Sequence, residues 1–381
     1  MYSLSVHGRI LLGRDLVTGT LVVRDGRIDE ILRGPYEAAL DAPHPLLETA
    51  IVAPGFIDLQ VNGGFGVEVG ADADALRHLA ACLPGTGVTA YLPTAITAAP
   101  DFYPRLFAAF AAARGAPGAR ALGLHLEGPF LSPARKGAHR QDLIEGADPA
   151  LFDLFLHSDA VRLVTVAPER PGMLAYIRHL RERNVLVSLG HTDADYEGFV
   201  RGVDMGARMA THVYNAMSPF EHRAPGAIGA ARLDDRVTVG LIADGIHSHA
   251  ATIRLALHVK GPDRVALVTD MMSGTGLSPG TYSLGGRPVY VDHRAARRAD
   301  GTLAGSILTL DQAVRNVVRW GGVTPADALR MASEIPARLL GLEYTGRVVV
   351  GAKADLVLLD EDLYVTGTII GGQQVYEKER A

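Results

Sequence analysis

Five short stretches of this chain run from apolar residues into side chains that can bind a metal or move a proton. They are His125-Leu-Glu127, Leu189-Gly-His191, Thr211-His212, Asp244-Gly-Ile-His247 and Thr269-Asp270. One carboxylate, two imidazoles and a further carboxylate from separate segments suit a catalytic metal site, in which Zn²⁺ commonly takes three protein ligands and keeps a position for water. Such a metal lowers the pKa of its water toward about 7 and polarises a carbonyl. Glu127, His191 and His212 are assigned as ligands, and Asp270 as the acid/base that carries a proton from water to a leaving group. His125, two residues before Glu127, is read as a supporting or packing residue. Asp244 is read as a cap that orients the loop carrying His247, although a second metal is an alternative role for it.

These residues need elements that bring them to one place. Short apolar stretches at Ile51–Val61, Val88–Ala95, Ala121–Glu127, Val161–Val166, Val185–Gly190, Ala207–Tyr214, Val237–Asp244 and Val265–Asp270 read as strands. Between them, segments such as Phe102–Arg114, Met173–Arg183 and Ala250–Val259 carry helical apolar spacing. Eight βα units predict a (β/α)₈ barrel, whose catalytic groups sit at the C-terminal strand ends. A doubly wound open sheet is the alternative, although the first βα turn lacks the GxGxxG of its dinucleotide-binding form. Taken singly, each site residue has an ordinary explanation: a packed histidine, a buried ion pair for Glu127, a helix cap for Asp270. Four of them at one barrel end outweigh those explanations.

Both chain ends read as β-structure. Ser3–Leu12 and Thr20–Arg24 are β-prone, with Asp25-Gly26 as a hairpin turn. Arg347–Val350, Asp355–Leu359 and Tyr364–Ile370 follow the same rhythm, before a Gly371-Gly372 turn into Gln373–Tyr376. The expected organisation is a small β-sandwich from residues 1–52 and 340–381 beside a barrel of 53–339. Segment 278–304, with its Gly285-Gly286 turn, is an insertion that would partly cover the barrel mouth.

Composition narrows the function classes. The 37 Lys and Arg against 42 Asp and Glu, without a basic block, argue against a nucleic-acid or anionic-membrane partner. No apolar run approaches the ~20 residues a spanning helix needs. Residues 1–15 lack a signal-peptide pattern, and a cytoplasmic setting is expected. The single cysteine, Cys82, excludes an internal disulfide and is expected in the core of the first helix.

At these residues the sequence resembles the N-acetylglucosamine-6-phosphate deacetylase family of the amidohydrolase superfamily, over nearly the whole chain. The match runs through Pro54-Gly-Phe-Ile-Asp-Leu-Gln60-Val-Asn62-Gly-Gly64, His125-Leu-Glu-Gly-Pro129, Lys136-Gly-Ala-His139 and Gly190-His191. It continues through Thr211-His212-Val-Tyr-Asn-Ala-Met217, Arg223-Ala-Pro-Gly226, Ala243-Asp-Gly-Ile-His247, Thr269-Asp270 and Gly301-Thr-Leu-Ala-Gly-Ser306. Gly351-Ala-Lys-Ala-Asp-Leu-Val-Leu-Leu-Asp360 resembles the superfamily's returning sandwich strand. Order and spacing together make the match specific.

The resemblance implies hydrolysis of the acetamide of a phosphorylated N-acetyl amino sugar. It places Glu127, His191 and His212 on the metal, Asp270 as the catalytic aspartate, and His247 beside the reacting carbonyl or the sugar. It gives His139, Asn215, the backbone of Ala216 and Arg223 to the sugar phosphate. It further implies a homodimer in which Arg223 reaches the neighbouring subunit's substrate. Where many amidohydrolases carry His-x-His, this chain has Gln60 and Asn62, poor ligands for Zn²⁺. One divalent ion per chain is therefore expected, Zn²⁺ foremost, with Fe²⁺ also acceptable to His and Glu. N-acetylgalactosamine-6-phosphate deacetylation is the nearest alternative activity. A cyclic amidase is a more distant one, and a catalytically silent scaffold belongs to another class.

Overall fold

The computed structural model describes residues 3–35 and 45–379. The expected end segments thus lie partly outside the described residues, at 1–2, 36–44 and 380–381. Parallel barrel strands run in sequential order through Phe56–Val61, Val88–Ile96, Leu124–Glu127, Val161–Val166, Leu186–Leu189, Met209–Ala210, Thr238–Leu241 and Val265–Leu267. The ring is drawn together between the last and first strands, where Asp270 N donates to Gln60 O at 3.0 Å and Asn62 N to Met271 O at 2.9 Å. This is the (β/α)₈ architecture, not the open sheet. Phe56–Val61 is buried at every residue, as a parallel strand covered on both faces requires.

Helices Phe102–Ala113, Met173–Glu182 and Ala250–Lys260 occupy the segments whose spacing predicts them. Helix Tyr196–Met205 starts at Asp195, whose Oδ1 accepts from Gly198 N at 2.7 Å and satisfies a first-turn donor. Below the mouth the barrel interior is polar. His125 Nδ1 donates to Leu59 O at 3.1 Å, and its Nε2 lies 2.8 Å from Thr165 Oγ1. Thr165 in turn meets Thr211 Oγ1 at 2.8 Å, and Ser188 meets Thr211 at 2.6 Å. His125 is therefore a structural histidine, held neutral by burial, which pushes its pKa down to about 4.

Several expected bounds change. Ile51–Pro54 belongs to the end sheet, and the barrel's first strand begins only after Gly55. Gly55 is needed at that hand-over, because a Cβ there would lie 2.2 Å from the Thr89 side chain. The third strand splits, with Arg120–Ala121 a separate short strand ahead of Gly123 (φ +145°). Arg347–Val350 forms no strand. Cys82 ends helix Ala73–Cys82 half-exposed, its Sγ 3.6 Å from His78 Nε2, and is not a core residue.

The chain ends form one seven-stranded sheet curled around its own core, in which Val6, Ile10, Leu21 and Val23 meet Leu356, Leu358 and Ile369. Ser3–Leu12 pairs with Asp15–Arg24, which turns at Asp25 (φ 48°) and Gly26 (φ 78°) into Arg27–Arg33. Asp355, buried at the start of Leu356–Leu359, receives Nη1 of Arg120 at 2.8 Å and also Arg120 Nη2, tying the end sheet to the barrel. Segment 278–304 folds as a three-stranded antiparallel flap: Gly280–Leu284, Arg287–Val291 and Ala296–Arg297. Among the described residues, no helix is long and apolar enough to cross a membrane.

Candidate metal and acid–base site

A pocket of about 370 Å³ opens at the C-terminal end of the barrel, with Glu127, His139, His191, His212, His247 and Asp270 in its wall. Strands three, five, six, seven and eight each deliver one of the expected residues, and the flap contributes Leu284 and Arg297 above them. Glu127 is the hub. Its Oε1 lies 2.9 Å from His212 Nε2 and 3.4 Å from His191 Nε2, and its Oε2 lies 3.7 Å from His139 Nε2.

The proton positions follow from the partners of each ring. His191 Nδ1 lies 2.8 Å from Arg135 O, a pure acceptor, so Nδ1 carries the hydrogen and Nε2 keeps its lone pair toward Glu127. His139 is the reverse. Its Nδ1 accepts from the Thr97 backbone N–H at 3.2 Å, so the hydrogen sits on Nε2. His247 Nδ1 donates to Asp244 Oδ2 at 2.7 Å, while Asp244 Oδ1 accepts from the Ile246 and His247 backbones, both at 2.8 Å. Asp244 thereby orients the His247 loop. Burial works against its charge, yet the His247 hydrogen bond holds its carboxyl below the usual range.

Two carboxylates, Glu127 and Asp270, are buried here, and among the described residues neither pairs with a Lys or Arg. Burial alone would neutralise Glu127, but the His139, His191 and His212 rings gathered around it hold it ionised, His212 through a hydrogen bond of 2.9 Å. Asp270 behaves oppositely: burial, reinforced by the negative Glu127, pushes it up to about 6. The buried Glu127 carboxylate, with His191 Nε2 and His212 Nε2 turned toward it, forms a donor set that fits a single divalent cation. Glu127, His139 and His191 bring one donor atom each within 4.8 Å of one another.

A model of the amidohydrolase family matches residues 51–375. The chain is 37% identical over 379 residues to an N-acetylglucosamine-6-phosphate deacetylase of Bacillus subtilis, covering 95% of this chain and 94% of that one. It is 40% identical over 365 residues to an N-acetylgalactosamine-6-phosphate deacetylase of Escherichia coli, covering 93% and 97%. Among solved structures, an Asp-to-Ala variant of the Mycobacterium smegmatis N-acetyl-D-glucosamine-6-phosphate deacetylase, in complex with N-acetyl-D-glucosamine-6-phosphate, superposes with a TM-score of 0.92. That pair is 35% identical, with 98% of this chain and 100% of that one covered. The chain belongs to the amidohydrolase family. It is a metal-dependent hydrolase.

In this amidohydrolase, Gln60 and Asn62 have a definite role at the site. Gln60 Nε2 donates to Glu127 Oε1 and to Asp270 Oδ1, both at 3.1 Å, and Asn62 Nδ2 donates to Asp270 Oδ1 at 2.6 Å. The two amides hold the carboxylates in place, and among the described residues their own carbonyl oxygens have no partner. From sequence alone these positions show only as missing ligands. Arg297, Thr302 and Leu303, which line the pocket from the flap, do not stand out there as site residues. The Gly301–Ser306 motif was the available signal for that part. Asn215 and Ala216 reach the pocket, whereas Arg223 lies exposed on the loop after strand six and lines no part of it.

Proposed function

We propose that the protein hydrolyses the acetamide of N-acetyl-D-glucosamine 6-phosphate to D-glucosamine 6-phosphate and acetate, in amino-sugar catabolism. The observation that carries this is the convergence of Glu127, His191 and His212 beside a separately held Asp270, in a pocket bordered by Asn215, Ala216 and His247. Glu127, His191 and His212 would hold one divalent ion, which we take to be Zn²⁺, with Fe²⁺ also suited to these donors. When bound, such an ion supplies Lewis acidity for the amide carbonyl and lowers the pKa of water toward about 7.

The chain's own residues do the rest. Asp270 Oδ1 is engaged by Gln60 and Asn62, which leaves Oδ2 to take the proton of the attacking water. A carboxyl poised near 6 can accept that proton and return it to the amide nitrogen as the C–N bond breaks. Hydroxide adds to the acyl carbon and the proton to nitrogen, giving acetate and the free amine. His247, fixed through Nδ1 by Asp244, turns Nε2 inward, where the neutral ring accepts from a sugar hydroxyl and the ring protonated on both nitrogens would donate to the acyl oxygen. His139, Asn215 and the backbone of Ala216 hold the sugar phosphate. Arg223 lies outside its own chain's pocket, which supports a homodimer in which it serves the partner's substrate. We read the barrel of 55–339 as the catalytic unit and the end segments through Pro54 and from 340 as its companion, and the one half-exposed cysteine agrees with a cytoplasmic setting.

A galacto substrate is the second reading, supported by the Escherichia coli relative. Acetate release from N-acetylglucosamine 6-phosphate, N-acetylgalactosamine 6-phosphate and unphosphorylated N-acetylglucosamine, followed on protein of known metal content, tests both. Release fastest from the gluco phosphate is expected. No release from either phosphate refutes the proposal.

A further inference from the structure

Beside the reaction pocket lies a second cavity, of about 390 Å³, and the two share only Asn62, Ile96 and Leu284 among their lining residues. Ile96 ends barrel strand two, and Leu284 comes from the first strand of the flap. The flap turn rests on Ile96: a Cβ on Gly285 would lie 2.7 Å from Ile96 Cδ1. Glu68 holds that turn down, accepting from Ser283 Oγ at 2.7 Å and from the Gly285 backbone. What separates the cavities is thus a pair of apolar side chains in a fixed frame, with Asn62 joining the second cavity to Asp270.

The character of the second cavity limits what it can take. Val69, Ala98, Ala99, Phe102 and Leu143 give it an apolar wall, beside the polar Glu68, Thr94, Thr97 and Asp101. Its two cations, Arg105 and Arg140, are exposed and already paired with Asp101 and Asp142. An aliphatic group suits this space, and a free anion finds no unpaired charge there. Its position points the same way. Asn215 and Ala216 follow strand six, and strand two lies four places along a ring of eight, on the opposite side. The acyl carbon must come to Asp270, and Asn62, bonded to Asp270, lines both cavities together with Ile96, so the acyl group lies on the side of the pocket that Ile96 closes.

We infer that Ile96 determines how long an N-acyl group the enzyme hydrolyses, and that the second cavity is an acyl-side compartment closed off by Ile96 and Leu284. This rests on the amino-sugar reading proposed above. The reaction is unchanged in kind: the amide C–N bond breaks, water supplies OH to the acyl carbon and H to nitrogen, and a longer carboxylate leaves.

The experiment compares N-acetyl-, N-butanoyl- and N-hexanoylglucosamine 6-phosphate on metal-loaded wild type, Ile96→Ala and Leu284→Ala, following release of the free amine. In wild type, kcat/KM falls as the acyl chain lengthens. In Ile96→Ala the hexanoyl-to-acetyl ratio of kcat/KM rises at least about tenfold, the low end of what methylene-sized changes do in apolar pockets. Leu284→Ala shifts the ratio the same way from the other side of the wall, which keeps the test decisive if Ile96→Ala does not fold. Adding Ala98→Phe, which fills only the second cavity, returns the ratio toward that of wild type. Acetyl turnover with the ratio unmoved in a folded wall variant overturns the inference and leaves the deacetylase reading standing. Wild-type turnover of the hexanoyl substrate as fast as the acetyl one also overturns it. No amine from any of the three substrates overturns both readings.

Discussion

His139 shows how a hydrogen-bond partner decides between two roles that distance alone leaves open. It sits in the cluster with Glu127 and His191 and could be counted as a metal ligand. The Thr97 backbone N–H can only donate, so His139 Nδ1 must accept, and its Nε2 carries hydrogen and has no lone pair for a cation. Burial, together with the nearby His191, pushes its pKa down to about 4, so the ring stays neutral. His139→Asn is the clean perturbation, since Asn Oδ1 can take over the Thr97 N–H while the Nε2–H is deleted. What disappears is the Nε2–H, which lies 3.7 Å from Glu127 Oε2 and would donate to the substrate phosphate, one hydrogen bond to a charged group worth about 1.5–3 kcal/mol. At ~1.4 kcal/mol per tenfold, kcat/KM should fall roughly 10–150-fold. Elemental analysis of the purified variant should find the wild-type metal content, one equivalent per chain. His191→Asn, which removes a lone pair aimed at the cluster, should lose it. A His139→Asn protein depleted of metal as far as His191→Asn would refute the tautomer argument.

Asp270→Asn should keep its metal and lose kcat by about 10²–10⁴-fold, the scale of acid–base catalysis; metal loss instead would make Asp270 a ligand. Arg223→Ala should weaken phosphorylated substrate by about 1.5–3 kcal/mol and leave the unphosphorylated sugar nearly unaffected. Mixed under subunit exchange with Asp270→Asn, it should regain activity in heterodimers, and verified heterodimers without activity would rule out a shared site. Lys260, whose Nζ donates to Ala231 O at 2.8 Å and Asp234 O at 2.6 Å, has its pKa pushed down by burial from 10.5 to about 8. Between those values the unfolded chain binds more protons than the folded one, so this lysine makes stability rise with pH across that window. Urea unfolding of Lys260→Met should show a flatter profile there, and an unchanged profile would contradict the assignment.

Much of the architecture was legible because burial on both faces demands apolar strands, and amphipathic helices must separate them. The barrel, its strand count and the helices Phe102–Ala113 and Met173–Glu182 follow from that demand. That Glu127, His191, His212 and Asp270 meet in one pocket at the barrel mouth was legible because each closes an apolar strand whose end faces that mouth. Gln60 and Asn62 were not, since an amide's donors matter only once two carboxylates from strands three and eight stand beside it. Pairing across the barrel leaves no local trace in sequence. The same holds for Arg297 and Leu303, which reach the pocket only because the flap folds back over the mouth.

Strand six exposes a deeper reason for the misplaced bounds. Ala207–Tyr214 reads as one strand by composition, yet only Met209–Ala210 keeps strand geometry. Beyond it, His212 (φ 27°), Tyr214 (φ 81°) and Ala216 (φ 50°) take left-handed conformations, as do His191 (φ 46°) and Asp270 (φ 53°). None is glycine, so each is strained by roughly 1–3 kcal/mol relative to an ordinary strand or turn. Three of these five are assigned to the metal or the proton transfer, and Ala216 lines the same pocket. The strain falls at the strand ends because a continuing strand would send successive side chains to opposite faces, into the barrel and out toward the helices. Leaving the extended conformation lets His212 aim at Glu127 while Val213 stays in the core and Asn215 turns to the pocket rim. Side-chain propensity carries no record of this, because the conformation is imposed by the packed barrel beneath it. Short strands are the consequence of aiming the site, and a sequence-based reading that extends them to the last apolar residue will overrun at the functional positions.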